Sequence, residues 1–301
     1  MNIAGFSNIY LQYFWMAVSI VSTAVYFVLT SAYMQKNSAI SINFVLAATH
    51  GFAALLLLVF SDYSSIFNAH SYQLWKNLLL VALLTWTAKI FYFYAYSRIA
   101  VANVTVFSAL TPLYAVLISP LMGYPLTAQQ ILGVTIITGS VFIFFAKDVL
   151  AHGKVKWVIP SFAVTCAFLS TIPTAVSTYF QKDAILLSNP INVSFFICAF
   201  SSVASFGYLW LKSPRQKEKK LPYAIPLRPL VIIALLQATA AVAFSAYMVQ
   251  GHPAVGQAVQ RLSSLLQILL AHVFLRQRLN TAWHLLCVGS SIIGLYVLYS
   301  V

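Results

Sequence analysis

The segment LTAQQILGVTIITGSVFIFF, residues 126–145, decides the fold class of this chain. It contains no Asp, Glu, Lys or Arg, and an α-helix of about 20 mostly apolar residues is long enough to cross the hydrocarbon core of a bilayer. A segment of the same length and character, LNTAWHLLCVGSSIIGLYVL, occupies residues 279–298. Two such helices of matching pattern, far apart in the chain, predict a membrane protein with an internal repeat.

Apolar runs of this kind continue through the whole chain. Hydrophobic residues make up 61% of its 301 residues and charged residues only 7%, whereas soluble domains contain about 25% charged residues. We therefore predict an all-α integral membrane protein with ten transmembrane helices and no room for a soluble domain. The ten predicted spans are residues 10–34, 39–60, 75–97, 100–119, 126–146, 157–180, 190–211, 227–250, 253–275 and 281–300.

Lysine and arginine are distributed unevenly between the two sides of the predicted bundle. Thirteen of the 17 fall in loops on one side, whereas two, Lys76 and Lys182, fall in loops on the other. Cytoplasmic loops are enriched in basic residues, so this bias places both termini outside the cytoplasm. Lipid headgroups and topology then explain the net charge of +13, and no nucleic-acid partner is expected. The first ten residues lack the features of a signal peptide, and the expected location is a bacterial cytoplasmic membrane.

The sequence predicts neither a cofactor nor a metal site. Cys166, Cys198 and Cys287 lie inside apolar runs, where buried thiols are expected rather than disulfides or metal ligands. The four acidic residues fall in predicted loops, and we find no nucleophile–base pair or phosphate-binding glycine loop. An integral-membrane enzyme acting on lipid-linked substrates is therefore the least favoured function. The expected partners are a small-molecule substrate and membrane lipids, for a monomer or a homodimer.

The chain divides into two similar halves, residues 1–150 and 151–301. AYMQKNSAISINF, residues 32–44, closes the first span and opens the second, and TYFQKDAILLSNPINVSFF, residues 178–196, does the same for the sixth and seventh. Each half has five predicted spans, and an odd number requires that the two copies insert in opposite orientations. Inverted repeats place a substrate site near the middle of the bilayer, at the interface between the halves. This arrangement predicts a carrier that works by alternating access.

Two longer stretches resemble a known family. YFYAYSRIAVANVTVFSALTPLYAVLISPLMGYPLTAQQILGVTIITGSVFIFF, residues 92–145, resembles the end of an EamA repeat of the drug/metabolite transporter superfamily. The run from AFSAYMVQGHPAVGQAVQ (243–260) to IIGLYVLYSV (292–301) resembles the same part of a second repeat. The resemblance implies ten helices, cytoplasmic termini and a cavity lined mainly by spans 1, 3, 4, 6, 8 and 9. Relatives carry amino acids, sugars, phosphorylated sugars, nucleotide sugars, choline and drugs, so the substrate stays open.

Three features depart from the family pattern. The turn between the last two spans of a repeat often contains a glutamate, but the two turns here read MGYPLT (122–127) and RQRLN (276–280). No predicted span carries the carboxylate with which the small multidrug resistance relatives bind cations and protons. Exchange or facilitated diffusion is therefore favoured over carboxylate-based proton antiport, and coupling through His50, His272 or His284, the histidines within predicted spans, stays open. The charge bias also places the termini on the side opposite to the family's.

Lys89 and Arg261 are the two cations inside predicted spans. Lys89 lies in LLLVALLTWTAKIFYFYAY (78–96) and Arg261 in GQAVQRLSSLLQILLAHVF (256–274). Each lies roughly 12 to 13 Å from one end of its helix, at about 1.5 Å per residue. A charge at that depth is costly and indicates a functional site by default. We predict that both face the cavity and bind an anionic group; the alternative is that each binds backbone carbonyls or lipid phosphate.

Polar and aromatic side chains on the same helical faces extend this candidate site. Positions three and four apart share a face, and a polar stripe in lipid must face protein or water. The alternative for these side chains is hydrogen bonding between packed helices. The further candidate substrate-binding residues are Thr85, Trp86, Tyr92 and Tyr96 beside Lys89, Gln257 and Ser264 beside Arg261, Thr23 and Tyr26 in span 1, Thr174 and Ser177 in span 6, Gln237 in span 8 and Asn103 in span 4.

The function that these features favour is secondary transport of a small organic metabolite. Two buried cations favour an anionic or zwitterionic substrate: a phosphorylated metabolite, a nucleotide sugar, a carboxylate or an amino acid. The alternative is an exporter of neutral or amphipathic metabolites or drugs, in which the two cations are structural. A channel is less favoured, because inverted repeats suit a carrier that rocks one half against the other.

Overall fold

All regular secondary structure in the described part of the computed structural model is helical, which confirms the predicted all-α class. The structure describes residues 9–34, 39–61, 72–96, 98, 104, 107–108, 110–151, 162–212, 227–275 and 281–299. The helices are α1 (Ile9–Met34), α2 (Ala39–Phe60), α3 (Tyr72–Tyr96), α4 (Thr111–Ile118) with a 3₁₀ turn (Ser119–Met122), α5 (Ala128–Ala151), α6 (Phe162–Leu169), α7 (Thr171–Leu187), α8 (Pro190–Lys212), α9 (Leu227–Met248), α10 (Pro253–Gln260), α11 (Leu262–Leu275) and α12 (Thr281–Tyr299).

Six segments of the described chain are long and apolar enough to cross a membrane. They are Tyr10–Thr30, Asn43–Phe60, Tyr72–Ala95, Phe162–Leu187, Pro190–Leu211 and Leu227–Met248. Shorter apolar helices cover Thr111–Met122 and Leu286–Leu298. Helices of this length and composition are those of a multi-pass membrane protein. The count of ten spans stays a prediction.

Two of the predicted spans are broken near their middle. The run 157–180 contains α6 and α7, which meet at Ser170. Pro173 explains this break, because proline has no N–H for the carbonyl four residues earlier and its ring crowds that carbonyl. The run 253–275 contains α10 and α11, and this break falls at Arg261 itself. Both breaks lie beside the cavity described below.

Helix α7 continues to Leu187, so the assignment of Lys182 and Asp183 to a loop is wrong. The Lys182 ammonium donates to backbone carbonyls, and the Tyr124 hydroxyl donates to Asp183. Because both charged side chains have hydrogen-bond partners within the protein, they can lie in a helix and need no solvent-exposed loop. Asp148 likewise lies within a helix, α5, rather than in a loop.

The helices pack in pairs that a twofold axis would relate. The most extensive contacts join α2 to α8, α5 to α12, α1 to α9 and α3 to α7. In the repeat, α2 corresponds to α8 and α5 to α12. Helix α1 corresponds to α7 and α3 to α9, so the contact between α1 and α9 is equivalent to the contact between α7 and α3. Such pairing fits two halves that wrap around each other. The predicted boundary at residue 150 adjoins 152–161, which lie outside the described residues.

Helices α5 and α12 approach closely at Gly294. A Cβ atom added there would lie 2.6 Å from Cγ1 of Ile137 and 3.1 Å from its backbone nitrogen. We expect Gly294→Leu to destabilise the protein by about 1–3 kcal/mol, because overpacking displaces the facing helix; thermal unfolding measures this. Gly289→Leu is the matched control, since a Cβ at Gly289 meets nothing within 4 Å. Equal melting temperatures for the two variants would contradict the prediction.

Candidate functional site

A polar cavity of about 140 Å³ lies between α1, α3, α7 and the α10–α11 break. At about 30 Å³ per water molecule, this space holds four or five waters, or a small charged group such as a phosphate or a carboxylate. It is lined by Thr23 and Phe27 of α1, Thr85, Ala88, Lys89 and Tyr92 of α3, Thr174 and Ser177 of α7, and Gln260, Arg261, Ser263 and Gln267 around the break. Both predicted cations therefore meet at one cavity.

Arg261 is held at the cavity by a short chain of hydrogen bonds. Its Nη2 donates to Oε1 of Gln257 over 2.9 Å, and Nε2 of Gln257 donates to the Thr178 hydroxyl over 2.6 Å. Gln257 and Thr178 are both buried. This chain fixes the guanidinium relative to α7.

Lys89 is held by a histidine from α2. Its Nζ lies 2.5 Å from Nε2 of His50, and Nδ1 of His50 lies 3.0 Å from the carbonyl oxygen of Leu46. The His50 side chain is 0% exposed. The lysine ammonium therefore has a neutral acceptor on one side and the cavity on the other.

Gln260 links the α10–α11 break to α1. Its Nε2 donates to the Thr23 hydroxyl over 2.8 Å, and the Ser19 hydroxyl donates to its Oε1 over 3.0 Å. These bonds join the first half of the chain to the second beside the cavity. A movement of one half against the other would have to break or rearrange them.

The cavity carries positive charge and no carboxylate. Lys89 and Arg261 both line it, and none of the lining residues is acidic. Asp183 is the one acidic residue whose side chain the structure describes, and it accepts a hydrogen bond from Tyr124. It lies six residues beyond Ser177, about 9 Å along the helix axis. A bound anion would therefore meet two cations without competing with a protein carboxylate.

The remaining sequence-based candidates take different places. Seven of the fourteen line the cavity: Lys89, Arg261, Thr23, Thr85, Tyr92, Thr174 and Ser177. Gln257 and Ser264 are buried beside Arg261, and Tyr26 and Gln237 are buried without lining the cavity. Trp86 is directed away, since its Nε1 donates to Ser205 of α8 over 3.0 Å. Asn103 and the side chain of Tyr96 lie outside the described residues. A role in binding stays a prediction for all of them.

Five lining residues were missed: Phe27, Ala88, Gln260, Ser263 and Gln267. Three of these, Gln260, Ser263 and Gln267, follow helical spacing of i, i+3 and i+7 and share a face. That signal was available in the sequence. The spacing counted from Arg261 selected Gln257 and Ser264 on a neighbouring face instead.

One end of the bundle is closed by a group of polar bonds, and those of Tyr124 join the two halves. We call this the closed end; it consists of residues 119–127, the last turns of α7 and the 248–254 connection. The Tyr124 hydroxyl donates to Oδ1 of Asp183 over 2.5 Å, and Nε2 of His252 donates to the Tyr124 carbonyl over 3.1 Å. Lys182 donates to the carbonyls of residues 248 and 249 over 2.5 and 2.9 Å.

Neutral side chains stabilise this closed end. Burial raises the pKa of the Tyr124 hydroxyl above its ordinary value, and the hydrogen bond to Asp183 raises it further. Burial lowers the pKa of His252, which the bond to the Tyr124 carbonyl partly opposes and the Lys182 charge reinforces. At neutral pH the tyrosine is therefore a donor, and Nδ1 of His252 accepts from the backbone N–H of Ala254 as the N-cap of α10.

An apolar cluster separates the closed end from the cavity. Along α10 it includes Val255 and Val259, which precede the cavity-lining Gln260. Along α3 it includes Leu78 and Val81, which precede Thr85. Side chains of both halves thus form a dry barrier on one side of the polar cavity.

Apolar spanning helices, an internal repeat and a polar cavity between the halves define a multi-pass integral membrane protein. The chain belongs to the EamA-like transporter family, whose model matches residues 11–146 and again 161–300. No curated protein matches it. A solved structure titled only "Crystal structure of protein" is similar, with 13% identity, a TM-score of 0.73 and coverage of 96% of each chain. At that identity the similarity shows the fold alone, and the transporter class comes from the family.

Proposed function

We propose that this protein is a secondary carrier of a small anionic or zwitterionic metabolite, and that Lys89 and Arg261 bind its charged group. Candidate substrates are phosphorylated metabolites, nucleotide sugars, carboxylates and amino acids, carried across a bacterial cytoplasmic membrane. One observation supports this most: two cations from different halves line one cavity that contains no acidic residue. An anion is the species that stabilises such a pair.

Charge and geometry both favour a phosphate or a carboxylate. Two unit charges 4 Å apart interact by about 4 kcal/mol at an effective dielectric constant of 20, against about 1 kcal/mol in water. Arginine presents a planar fork that matches these anions, and lysine adds a mobile point charge. The Thr23, Thr174 and Ser177 hydroxyls at the same cavity supply further donors.

Alternating access explains why the cavity lies beside a barrier. The hydrogen bonds of the closed end and the apolar cluster behind it block one side of the site. Inverted repeats allow an equivalent barrier to form on the other side when one half rocks against the other. The α6–α7 and α10–α11 breaks are candidate pivots for such a movement.

A second candidate is export of neutral or amphipathic metabolites, with both cations structural. The observation that favours it is that each cation already has a protein acceptor, His50 for Lys89 and Gln257 for Arg261. On this proposal, neutral substitutions at the two positions change stability and leave transport intact.

A thermal-shift screen of the purified protein distinguishes the two candidates. We expect glycerol 3-phosphate, succinate or glutamate to raise the melting temperature, and we expect choline and glycerol to leave it unchanged. The shift with the best anion should disappear in Lys89→Gln. A shift with choline or glycerol but with none of the anions would reject the anionic site in favour of the second candidate.

A further inference from the structure

The pairing of His50 with Lys89 defines where the protons of this pair lie. Nδ1 of His50 lies 3.0 Å from the Leu46 carbonyl, which accepts only, so Nδ1 carries a hydrogen. The Thr49 hydroxyl donates to the Val45 carbonyl over 2.7 Å, which leaves its oxygen free to accept from Nδ1 at 3.3 Å. With Nδ1 protonated, the Nε2 of a neutral ring has a lone pair that accepts from the Lys89 ammonium.

Without an anion, this pair holds a single positive charge. A second proton on Nε2 would bring two cationic donors to within 2.5 Å of each other, with no acceptor between them and no water around a ring that is 0% exposed. Repulsion at that distance in a buried site is large. The empty site therefore favours a charged lysine and a neutral histidine.

The other groups around the pair do not replace this acceptor. Cys198 of α8 is a buried thiol that interacts electrostatically with Lys89. The Tyr26 hydroxyl of α1 is buried in the same region and faces Cys198. Across the described residues of α1, α3, α8 and α9, the helices around His50, no carboxylate faces the pair. The cavity is the direction from which negative charge can enter.

We propose that the His50–Lys89 pair couples the binding of the anion to the uptake of one proton. When the anion accepts hydrogen bonds from the Lys89 ammonium, Nε2 of His50 loses its donor and regains a free lone pair. A proton from a hydronium ion or a buffer acid in solution then adds to Nε2, so the bond of that donor breaks as the N–H bond forms, and the anion offsets the new charge. One anion and one proton enter together, and the only covalent bond formed is N–H. This inference rests on the anionic site proposed above.

The linkage has a definite sign. Because the anion favours protonation of His50, protonation of His50 favours the anion by the same factor. Anion affinity therefore rises as the pH falls, by at most tenfold per pH unit when one proton is taken up. The anion then moves with a proton, which links its transport to the proton gradient.

Sulfate is the probe for this linkage, because its charge stays constant between about pH 5 and 8. Calorimetry on the purified full-length protein, repeated in buffers of different ionisation enthalpy, measures the protons taken up for each sulfate bound. We expect an uptake approaching one proton, and a Kd that falls toward tenfold for each unit of decreasing pH. His50→Gln keeps an acceptor for Lys89 but cannot take the proton, so its Kd should be independent of pH.

Two matched variants test the assignment to His50. His272→Gln changes an exposed histidine of α11, and Cys198→Ser removes the thiol near Lys89; both should keep the full pH dependence. Failure of sulfate to bind the wild type at any pH would overturn the anionic site. Sulfate binding without proton uptake, a pH dependence retained in His50→Gln, or one lost in Cys198→Ser would overturn the proton inference alone. If His50→Gln does not fold, the wild-type proton count decides.

Discussion

Arg261→Gln is expected to weaken binding and transport of the anionic substrate by at least a hundredfold while the protein still folds. The change removes the charge but keeps a side chain that reaches Gln257, its present partner. A hydrogen bond between charged groups contributes about 1.5–3 kcal/mol, and about 1.4 kcal/mol corresponds to a factor of ten. Losing a bidentate contact of this kind therefore gives an effect of the expected size. Uptake into proteoliposomes and ligand-induced thermal shifts measure it.

Arg98→Gln is the matched control for this prediction. Arg98 is exposed and stacks over the ring of Tyr94 at 5.3 Å, outside the cavity. Its loss should leave transport within about twofold of the wild type. A folded Arg261→Gln protein with wild-type uptake would show that Arg261 is structural, as the exporter alternative requires.

Lys182→Met is expected to open the closed end. Lys182 is 7% exposed and is a donor to two carbonyl oxygens at the end of α9. Methionine keeps most of the volume but leaves those oxygens without this donor. The Lys182 bonds hold the end of α7 against the 248–254 connection, and both of these segments bond to Tyr124 of the other half. Each lost bond from a charged donor disfavours this arrangement by about 1.5–3 kcal/mol, so the population with this end open should rise at least tenfold.

A reporter cysteine measures the opening. Ala254 is 0% exposed and packs in the apolar cluster with Tyr179, so Ala254→Cys should react slowly with a maleimide when this end is closed. The native cysteines are first replaced by serine, and the protein is labelled in nanodiscs so that both sides are accessible. We expect Lys182→Met to raise the labelling rate at least tenfold. Lys76→Met, at an exposed lysine of α3, should not change it, and equal rates in the two variants would contradict the assignment.

The two cations at the cavity, Lys89 and Arg261, were predictable because they contrast with their own local sequence. A lysine or an arginine within about 20 apolar residues is costly wherever the helix packs, and no tertiary information is needed to notice it. Helical spacing of polar residues gave Thr23, Thr85, Thr174 and Ser177, all of which line the cavity. The same spacing selected Trp86, whose indole bonds to Ser205 of α8 instead of lining this cavity.

The contacts that hold the cations were not predictable in this way. Lys89 contacts His50, which is 39 residues away in the sequence. Arg261 is positioned by Gln257, which in turn bonds to Thr178, 79 residues away. The prediction of a loop at Lys182 and Asp183 was wrong for a related reason, since it also depended on contacts with a segment distant in the chain. A charged pair at the end of an apolar run is typical of a loop, but backbone carbonyls from α9 satisfy the lysine within a continuing helix.

The sequence by itself determined that this is a helical membrane protein with an internal repeat and membership of a transporter family. Those properties depend on the length, hydropathy and order of apolar segments, which are local or are repeated along the chain. Only the tertiary structure decided which polar side chains share the cavity, which partner each cation has and which end of the bundle is closed. These depend on how each helix is rotated and broken, and contacts between segments distant in the chain set both.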